Sequence, residues 1–139
     1  MPLSVLCADW SQLVELVEVP ERRRAALETV WPGPLTAILP ARRRLPCAPG
    51  PAIAVRIPGH ALLCGVLRIC GPLTGTSANR HGSPPCRGAD DALASLLGAP
   101  DLVLDGGTTP GGAASTLVDL TQEPPLVLRD GPVGWLEQV

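Results

Sequence analysis

Proline and glycine divide this chain into short apolar segments, and that punctuation is its strongest structural constraint. The sequence holds 17 Pro and 15 Gly among 139 residues. A collagen-like chain is excluded because Gly does not recur at every third position. Disorder is disfavoured because 45% of the residues are hydrophobic and only 17% are charged. The length fits one domain and leaves little room for two.

The short segments alternate between strand-like and helix-like patterns. Strands are predicted at residues 3–6, 35–39, 52–57, 72–76, 102–104, 116–120 and 126–128. Helices are predicted to begin after Asp9, at Pro20, at His60 and, closed by Gly98, after Asp90. This succession predicts an α/β (α+β) fold, a mixed sheet flanked by helices.

The identity of the basic residues excludes two kinds of chemistry. All 11 are Arg, and the chain contains no Lys. A Walker A phosphate loop and a lysine Schiff base are therefore excluded. A net charge of −2 creates no global attraction to nucleic acid or to an anionic membrane. Two Arg runs, at 22–24 and 42–44, are interpreted as solvated faces, with phosphate contact as the alternative.

Cysteine usage and hydropathy predict a cytoplasmic protein. The five Cys form no CxxC pair, which fits a reducing compartment. No apolar stretch has the length of a membrane span, and no signal peptide is evident. The spacing of His60, Cys64 and their neighbours matches no structural zinc pattern, so no metal ligands are predicted. A Cys–His nucleophile stays open, without a local signature to support it.

Two polar loops follow predicted strands. Residues 74–79 combine three hydroxyls and an amide with Gly75, whose backbone can approach a ligand closely. Residues 105–112 are Gly-rich and lead into Ser115, a pattern that suits an anion-binding nest of N–H groups. The alternatives are a capped turn for the first loop and a flexible connection for the second.

Two arginines occupy apolar strand segments. Arg56 lies within the run Ala52–Ile57, and Arg129 ends the last predicted strand. An inward-facing guanidinium requires a partner, and its planar fork suits a carboxylate or a phosphate. The alternative is that strand alternation directs both side chains to solvent.

Seven segments in this order resemble the YrdC family of threonylcarbamoyl-AMP synthases. The resemblance covers the chain from Pro2 to about Val133. Each motif is weak alone, and the ordered set is specific. The segments are Trp31–Thr36, Val55–Pro58, Gly71–Leu73, Thr76–Arg80, Asp105–Gly107, Ser115–Asp119 and Leu128–Gly131.

The resemblance implies a fold and an activity. The implied fold is a twisted mixed sheet flanked by helices, with a concave, positively charged cavity. The implied enzyme is a nucleotidyltransferase that makes threonylcarbamoyl-AMP and pyrophosphate from L-threonine, bicarbonate and ATP, for threonylcarbamoyladenosine formation on tRNA. ATP, with Mg²⁺, is then a substrate, and no tightly bound cofactor is expected. Expected partners are downstream threonylcarbamoyl-transfer proteins and tRNA or double-stranded RNA.

The same resemblance implies residue roles. Arg56 and Ser115 would contact threonine, with the Arg56 fork on its carboxylate. ATP would be contacted by Gly75, Ser77, Asn79 and Arg129. No residue is expected to act as a covalent nucleophile, so catalysis would rest on positioning and charge stabilisation.

The chain departs from the family pattern at two places. The family's Lys-x-Arg motif has no counterpart, and Pro85 stands where a Ser is usual. The expected organisation is therefore an N-terminally incomplete YrdC-like domain at 1–133 and a short tail at 134–139. Two functions stay open: a synthase that is weak or inactive as this chain, or a non-catalytic module that binds nucleotide or RNA.

Overall fold

The computed structural model describes residues 3–135. Two compact units are distinguished within the chain. The larger unit joins the chain up to Gly75 with the chain from Ala114 onward, and the smaller unit is Thr76–Ala113. Of the predicted tail, residues 136–139 lie outside the described part of the chain, and so do residues 1 and 2.

The larger unit contains a mixed six-stranded sheet, as the sequence predicts. Its order is β4-β1-β3-β2-β5-β6. Strands β1 and β3 are parallel, as are β2 and β5, whereas the other three neighbouring pairs are antiparallel. The strands are β1 Ser4–Leu6, β2 Leu35–Pro40, β3 Ala52–Arg56, β4 Leu73–Gly75, β5 Thr116–Asp119 and β6 Leu126–Arg129.

Helices α1 Trp10–Leu16, α2 Glu21–Val30 and α3 Ala61–Cys70 belong to the larger unit. Asp9 caps α1, because its carboxylate accepts the Gln12 N–H at 3.0 Å. Among residues 3–135, no helix combines the length and the apolar character needed to cross a membrane.

The core of this unit lies between α1, α2 and the central strands. Leu13 and Leu16 of α1 and Leu27 of α2 are buried in one cluster with the apolar residues of β2 and β3. In strand β2 five of the six residues are apolar in type, and four of the six are buried. The centre of the sheet is therefore tightly packed, and it gives a fixed position to the strands that carry the candidate site at their ends.

The smaller unit corrects two predictions. Residues 102–104 form no strand, and Leu102 and Leu104 are largely exposed. Three apolar residues without a paired neighbour cannot form a ladder, whatever their β propensity. Helix α4 spans Ala89–Ser95, and Gly88, not Asp90, occupies its N-cap position. Asp90 lies in the first helical turn, where a carboxylate still favours the helix dipole.

Candidate functional site

Four strand ends meet at one edge of the sheet. Strand β2 runs antiparallel to β3 and parallel to β5, and β5 runs antiparallel to β6. Consequently β3 and β6 end where β2 and β5 begin. This topology places Arg56, at the end of β3, and Arg129, at the end of β6, on the same edge as Thr36 and Ser115. These four residues are called the arginine–hydroxyl cluster below.

Arg56 is partly buried and held by the backbone. Its Nε donates to the Gly33 carbonyl at 3.0 Å. Burial, and secondly the positive charge of Arg129, lowers the pKa of Arg56. An arginine stays protonated despite such a shift. Within residues 3–135 neither Arg56 nor Arg129 forms a salt bridge, so the cluster carries uncompensated positive charge.

Arg129 and Thr36 both contact Ser115. Arg129 donates from Nε to the Ser115 carbonyl at 2.9 Å and from Nη2 to Ser115 Oγ at 3.2 Å. The Ser115 hydroxyl also lies 2.8 Å from Thr36 Oγ1. Ser115 thus links an arginine to a buried hydroxyl. This network fixes the serine side chain at the edge of the sheet.

The loop at residues 31–34 positions Arg56. Trp31 is buried, and its Nε1 donates to the Leu35 carbonyl at 2.7 Å. Gly33 receives Arg56 through its carbonyl and donates its N–H to the Ile57 carbonyl at 2.9 Å. A Cβ at Gly33 would lie 2.3 Å from the Val30 carbonyl oxygen, so only glycine fits. The Gly33 carbonyl therefore holds the guanidinium, and the Gly33 N–H binds the loop to the backbone of the residue after Arg56.

A close backbone contact at Gly131 supports the segment that contains Ser115. The chain after β6 passes the start of β5 at Gly131, where a Cβ would lie 2.4 Å from the Thr116 nitrogen and 2.7 Å from the Ala114 oxygen. Thr116 itself donates its hydroxyl to the Val133 carbonyl. Gly131 therefore allows the segment that follows Arg129 to pack directly against the segment that contains Ser115.

A cavity of about 420 Å³ adjoins the cluster within the larger unit. Arg56 is the charged group on a wall that is otherwise largely apolar. This combination suits a small ligand with one anionic group. The lining residues are Leu6, Gly33, Pro34, Arg56, Pro58, Gly59, His60 and Leu63.

Gly75 lies away from the arginine–hydroxyl cluster. It ends β4, the edge strand, and pairs with Ser4 at the start of β1. Its carbonyl accepts the Ser4 hydroxyl at 3.1 Å, and a Cβ there would lie 2.7 Å from the Leu6 side chain. The structure gives Gly75 a packing role against Leu6. Its predicted contact with ATP stays a prediction.

Ser77 and Asn79 belong to the smaller unit. The Asn79 amide donates to the carbonyls of Arg80, at 3.0 Å, and Ser83, at 2.9 Å, which closes a turn. Asn79 Oδ1 is buried without a partner in the part of the chain that the structure describes. Ser77 is exposed. These hydrogen bonds therefore form a local turn, and the predicted contacts of Ser77 and Asn79 with ATP stay predictions.

Two cysteines and one histidine, Cys7, Cys64 and His60, have structural surroundings. Burial, followed by the charge of Asp9, raises the pKa of the Cys7 thiol to about 12, which suppresses the reactive thiolate. Cys64 is buried and donates to the Pro58 carbonyl at 3.1 Å. His60 caps α3 by accepting the Leu63 N–H. Among residues 3–135 no three His, Cys, Asp or Glu side chains are grouped to hold a metal ion.

Comparison with known proteins identifies the family. The Sua5/YciO/YrdC family model, described as "Telomere recombination", matches residues 1–131. The chain belongs to this family. A threonylcarbamoyl-AMP synthase of Pyrococcus abyssi is 34% identical over 99% of the chain, which spans 43% of that relative's length.

Solved structures of the family share the fold. The crystal structure of P. abyssi Sua5 complexed with L-threonine matches with a TM-score of 0.85 and 34% identity, over 94% of this chain and 40% of that one. Escherichia coli YciO matches with a TM-score of 0.82 and 25% identity, over 94% of this chain and 66% of that one. The mixed sheet is therefore the family's fold.

Sequence reasoning about the family site missed Gly33, Thr36 and Gly131. All three stand in the quoted motifs but received no role. The positions of Gly33 and Gly131 could have indicated these contacts, because a glycine within a rigid loop often marks a close backbone approach. Thr36 offered no such signal, since its partner Ser115 lies 79 positions away in the sequence.

Proposed function

We propose that this chain acts as a threonylcarbamoyl-AMP synthase, a nucleotidyltransferase that uses L-threonine, bicarbonate and ATP. The observation that carries the proposal is the arginine–hydroxyl cluster, in which two arginines lie near one another without an acidic partner among the described residues. The same fold is found in P. abyssi Sua5 complexed with L-threonine. The chain spans 43% of the length of its P. abyssi relative.

The negative charges of the substrates suit the arginine–hydroxyl cluster. The threonine carboxylate, bicarbonate and the ATP phosphates are all anionic, and two uncompensated guanidinium groups attract them. Arg56 is the proposed contact for the carboxylate, through its planar fork. Ser115 is the proposed second contact for threonine.

The chemistry requires threonine and the nucleotide to meet. The threonine amine and bicarbonate form a carbamate with loss of water. A carbamate oxygen then bonds to the α-phosphorus of ATP, and pyrophosphate leaves. Arg129 is the proposed nucleotide contact, and its hydrogen bonds to Ser115 place it beside the proposed threonine site. Developing negative charge on the phosphates would be stabilised by this arginine.

The remaining nucleotide contacts are proposed from the resemblance. The resemblance predicts nucleotide contacts at Gly75, in the larger unit, and at Ser77 and Asn79, in the smaller unit. Mg²⁺ would enter with ATP as part of the substrate. The product, a reactive anhydride, would pass to proteins that transfer the threonylcarbamoyl group to tRNA.

Pyrophosphate release tests the proposal. The chain is incubated with ATP, Mg²⁺, bicarbonate and L-threonine, and release is expected only when all of them are present. Arg56→Ala should abolish the threonine-dependent release, whereas Arg68→Ala, on the surface of α3, should leave it unchanged. Threonine or ATP binding without pyrophosphate release would favour the non-catalytic binding module. Absence of both binding and release would overturn the proposal.

A further inference from the structure

Thr36 is a buried polar residue whose hydroxyl contacts Ser115, a residue of the proposed threonine site. It is the second residue of the central strand β2 and is 4% exposed. Its backbone pairs in parallel with Leu117 of β5, which brings its side chain against Ser115. The two hydroxyl oxygens lie 2.8 Å apart. Within residues 3–135, Ser115 is the side-chain partner of the Thr36 hydroxyl.

The hydrogen-bond inventory of Ser115 allows two arrangements. A serine hydroxyl has one proton to donate and two lone pairs to accept with. The Arg129 guanidinium can only donate, so it occupies one lone pair. Ser115 then either donates its proton to Thr36 or accepts the proton of Thr36. In the second arrangement both lone pairs are occupied, and the Ser115 O–H is left to donate to a ligand.

A bound carboxylate selects the second arrangement. A carboxylate accepts hydrogen bonds and cannot donate them. A hydroxyl that donates to an anion forms a stronger bond than one that donates to a neutral hydroxyl. The Ser115 O–H therefore forms its stronger hydrogen bond by donating to the carboxylate. The Thr36 hydroxyl then donates its own hydrogen bond to Ser115 Oγ. A valine at position 36 would fill the same space and supply none.

We propose that Thr36 is a positioning residue for the substrate: its hydroxyl donates to Ser115 Oγ and directs the Ser115 O–H at the carboxylate of bound L-threonine. This inference rests on the proposed function, because it takes threonine as the ligand. Thr36 makes no contact with the substrate in this arrangement. Its effect on binding passes entirely through Ser115.

The test is a double-mutant cycle on L-threonine binding, measured by calorimetry on the full chain. Thr36→Val should weaken binding about 3- to 10-fold, the usual range for losing one neutral hydrogen bond. Thr36→Ser keeps the hydroxyl and should restore affinity to within about twofold of the original chain. In a Ser115→Ala background, Thr36→Val should have no further effect. Thr29→Val, on exposed α2, is the matched control and should bind like the original chain.

Each other outcome has a definite meaning. If the original chain binds threonine and Thr36→Val binds equally well, the role of Thr36 is overturned while the proposed function stands. Equal weakening by Thr36→Val with and without Ser115 overturns it too, because a purely structural effect would not need the serine. If the original chain does not bind threonine, both proposals fall. Thermal unfolding checks each variant, and Thr36→Ala replaces Thr36→Val in the cycle if the valine variant does not fold.

Discussion

Two arginine clusters in the larger unit differ in how their charge is compensated. In the first, Arg22 and Arg23 of α2 both bind the Glu123 carboxylate, Arg23 at 2.7 Å. Arg23 is 8% exposed, so its charge is neutralised where water is scarce. In the arginine–hydroxyl cluster, Arg56 and Arg129 donate hydrogen bonds to backbone carbonyls and to the Ser115 hydroxyl. No acid pairs with either of them among residues 3–135.

The difference separates a structural site from a binding site. In the Glu123 cluster (Arg22, Arg23 and Glu123), a carboxylate already binds both guanidinium groups, which leaves them less available to an external anion. The arginine–hydroxyl cluster holds like charges together, which costs stability until an anion binds. We therefore expect substitutions in the first cluster to change folding stability, and substitutions in the second to change ligand affinity. Four predictions test this division.

The largest effect is expected from Arg56→Ala. Removing a charge-assisted, forked contact should weaken L-threonine binding about 100-fold. The free energy of unfolding should change by less than about 1 kcal/mol, because the lost bond to Gly33 is offset by relief of repulsion from Arg129. Calorimetry and denaturant unfolding measure the two quantities. Unchanged affinity would refute the role of Arg56, and Arg68→Ala, on the surface of α3, serves as the control.

The second-largest effect is expected from Gly131→Ala, which should lower both the affinity for L-threonine and the free energy of unfolding. The new methyl group would lie 2.4 Å from the Thr116 nitrogen and force the chain after β6 away from Ser115. Overpacking of this kind costs about 1–3 kcal/mol of unfolding free energy. Gly134→Ala is the control, because a Cβ there meets nothing within 4 Å. Equal stability of the two variants would show that the close approach does not hold the cluster together.

Glu123→Gln should affect stability alone. It removes the carboxylate that binds Arg22 and Arg23, and should cost about 1–2 kcal/mol, less than a fully buried pair because Glu123 is half exposed. Threonine affinity should stay within about twofold. The comparison variant is Glu28→Gln, which breaks the exposed pair with Arg24 and should cost about 0.5 kcal/mol at most. A loss of affinity in Glu123→Gln would break the proposed division.

The smallest effect is a pH dependence introduced by Arg56→Lys. The original chain should bind threonine equally well between about pH 6 and pH 8, since arginine stays protonated throughout. Burial and Arg129, which lower the pKa of Arg56, would also lower that of a lysine ammonium placed there. As pH rises through that lowered pKa, the ammonium loses its proton and affinity falls. Binding measured from about pH 6 upward decides the point: the affinity of the variant relative to the original chain should fall as pH rises, and a constant ratio would contradict the prediction.

Local sequence patterns were enough to predict most elements of the larger unit. The Asp9 cap, the apolar runs of β2 and β3, and the position of Arg129 at the end of β6 all depend on residues close in sequence. Such patterns act over a few positions, where capping and alternation operate. They failed at residues 102–104, because an apolar triplet becomes a strand only when a neighbour pairs with it. Arg56 was a candidate as a charge within an apolar run and Ser115 as part of a polar loop, and the resemblance to the family then assigned their ligand.

The sequence by itself determined which side chains carry positive charge and hydroxyl groups, and that no lysine is available to share the role. Only the tertiary structure decided which of them meet. Parallel pairing of β2 with β5 joins Thr36 to Ser115 across 79 positions, and the loop at 31–34 brings the Gly33 carbonyl to Arg56. The physical reason is that strand order and backbone close approach are settled by burial of the whole core, which no local pattern records.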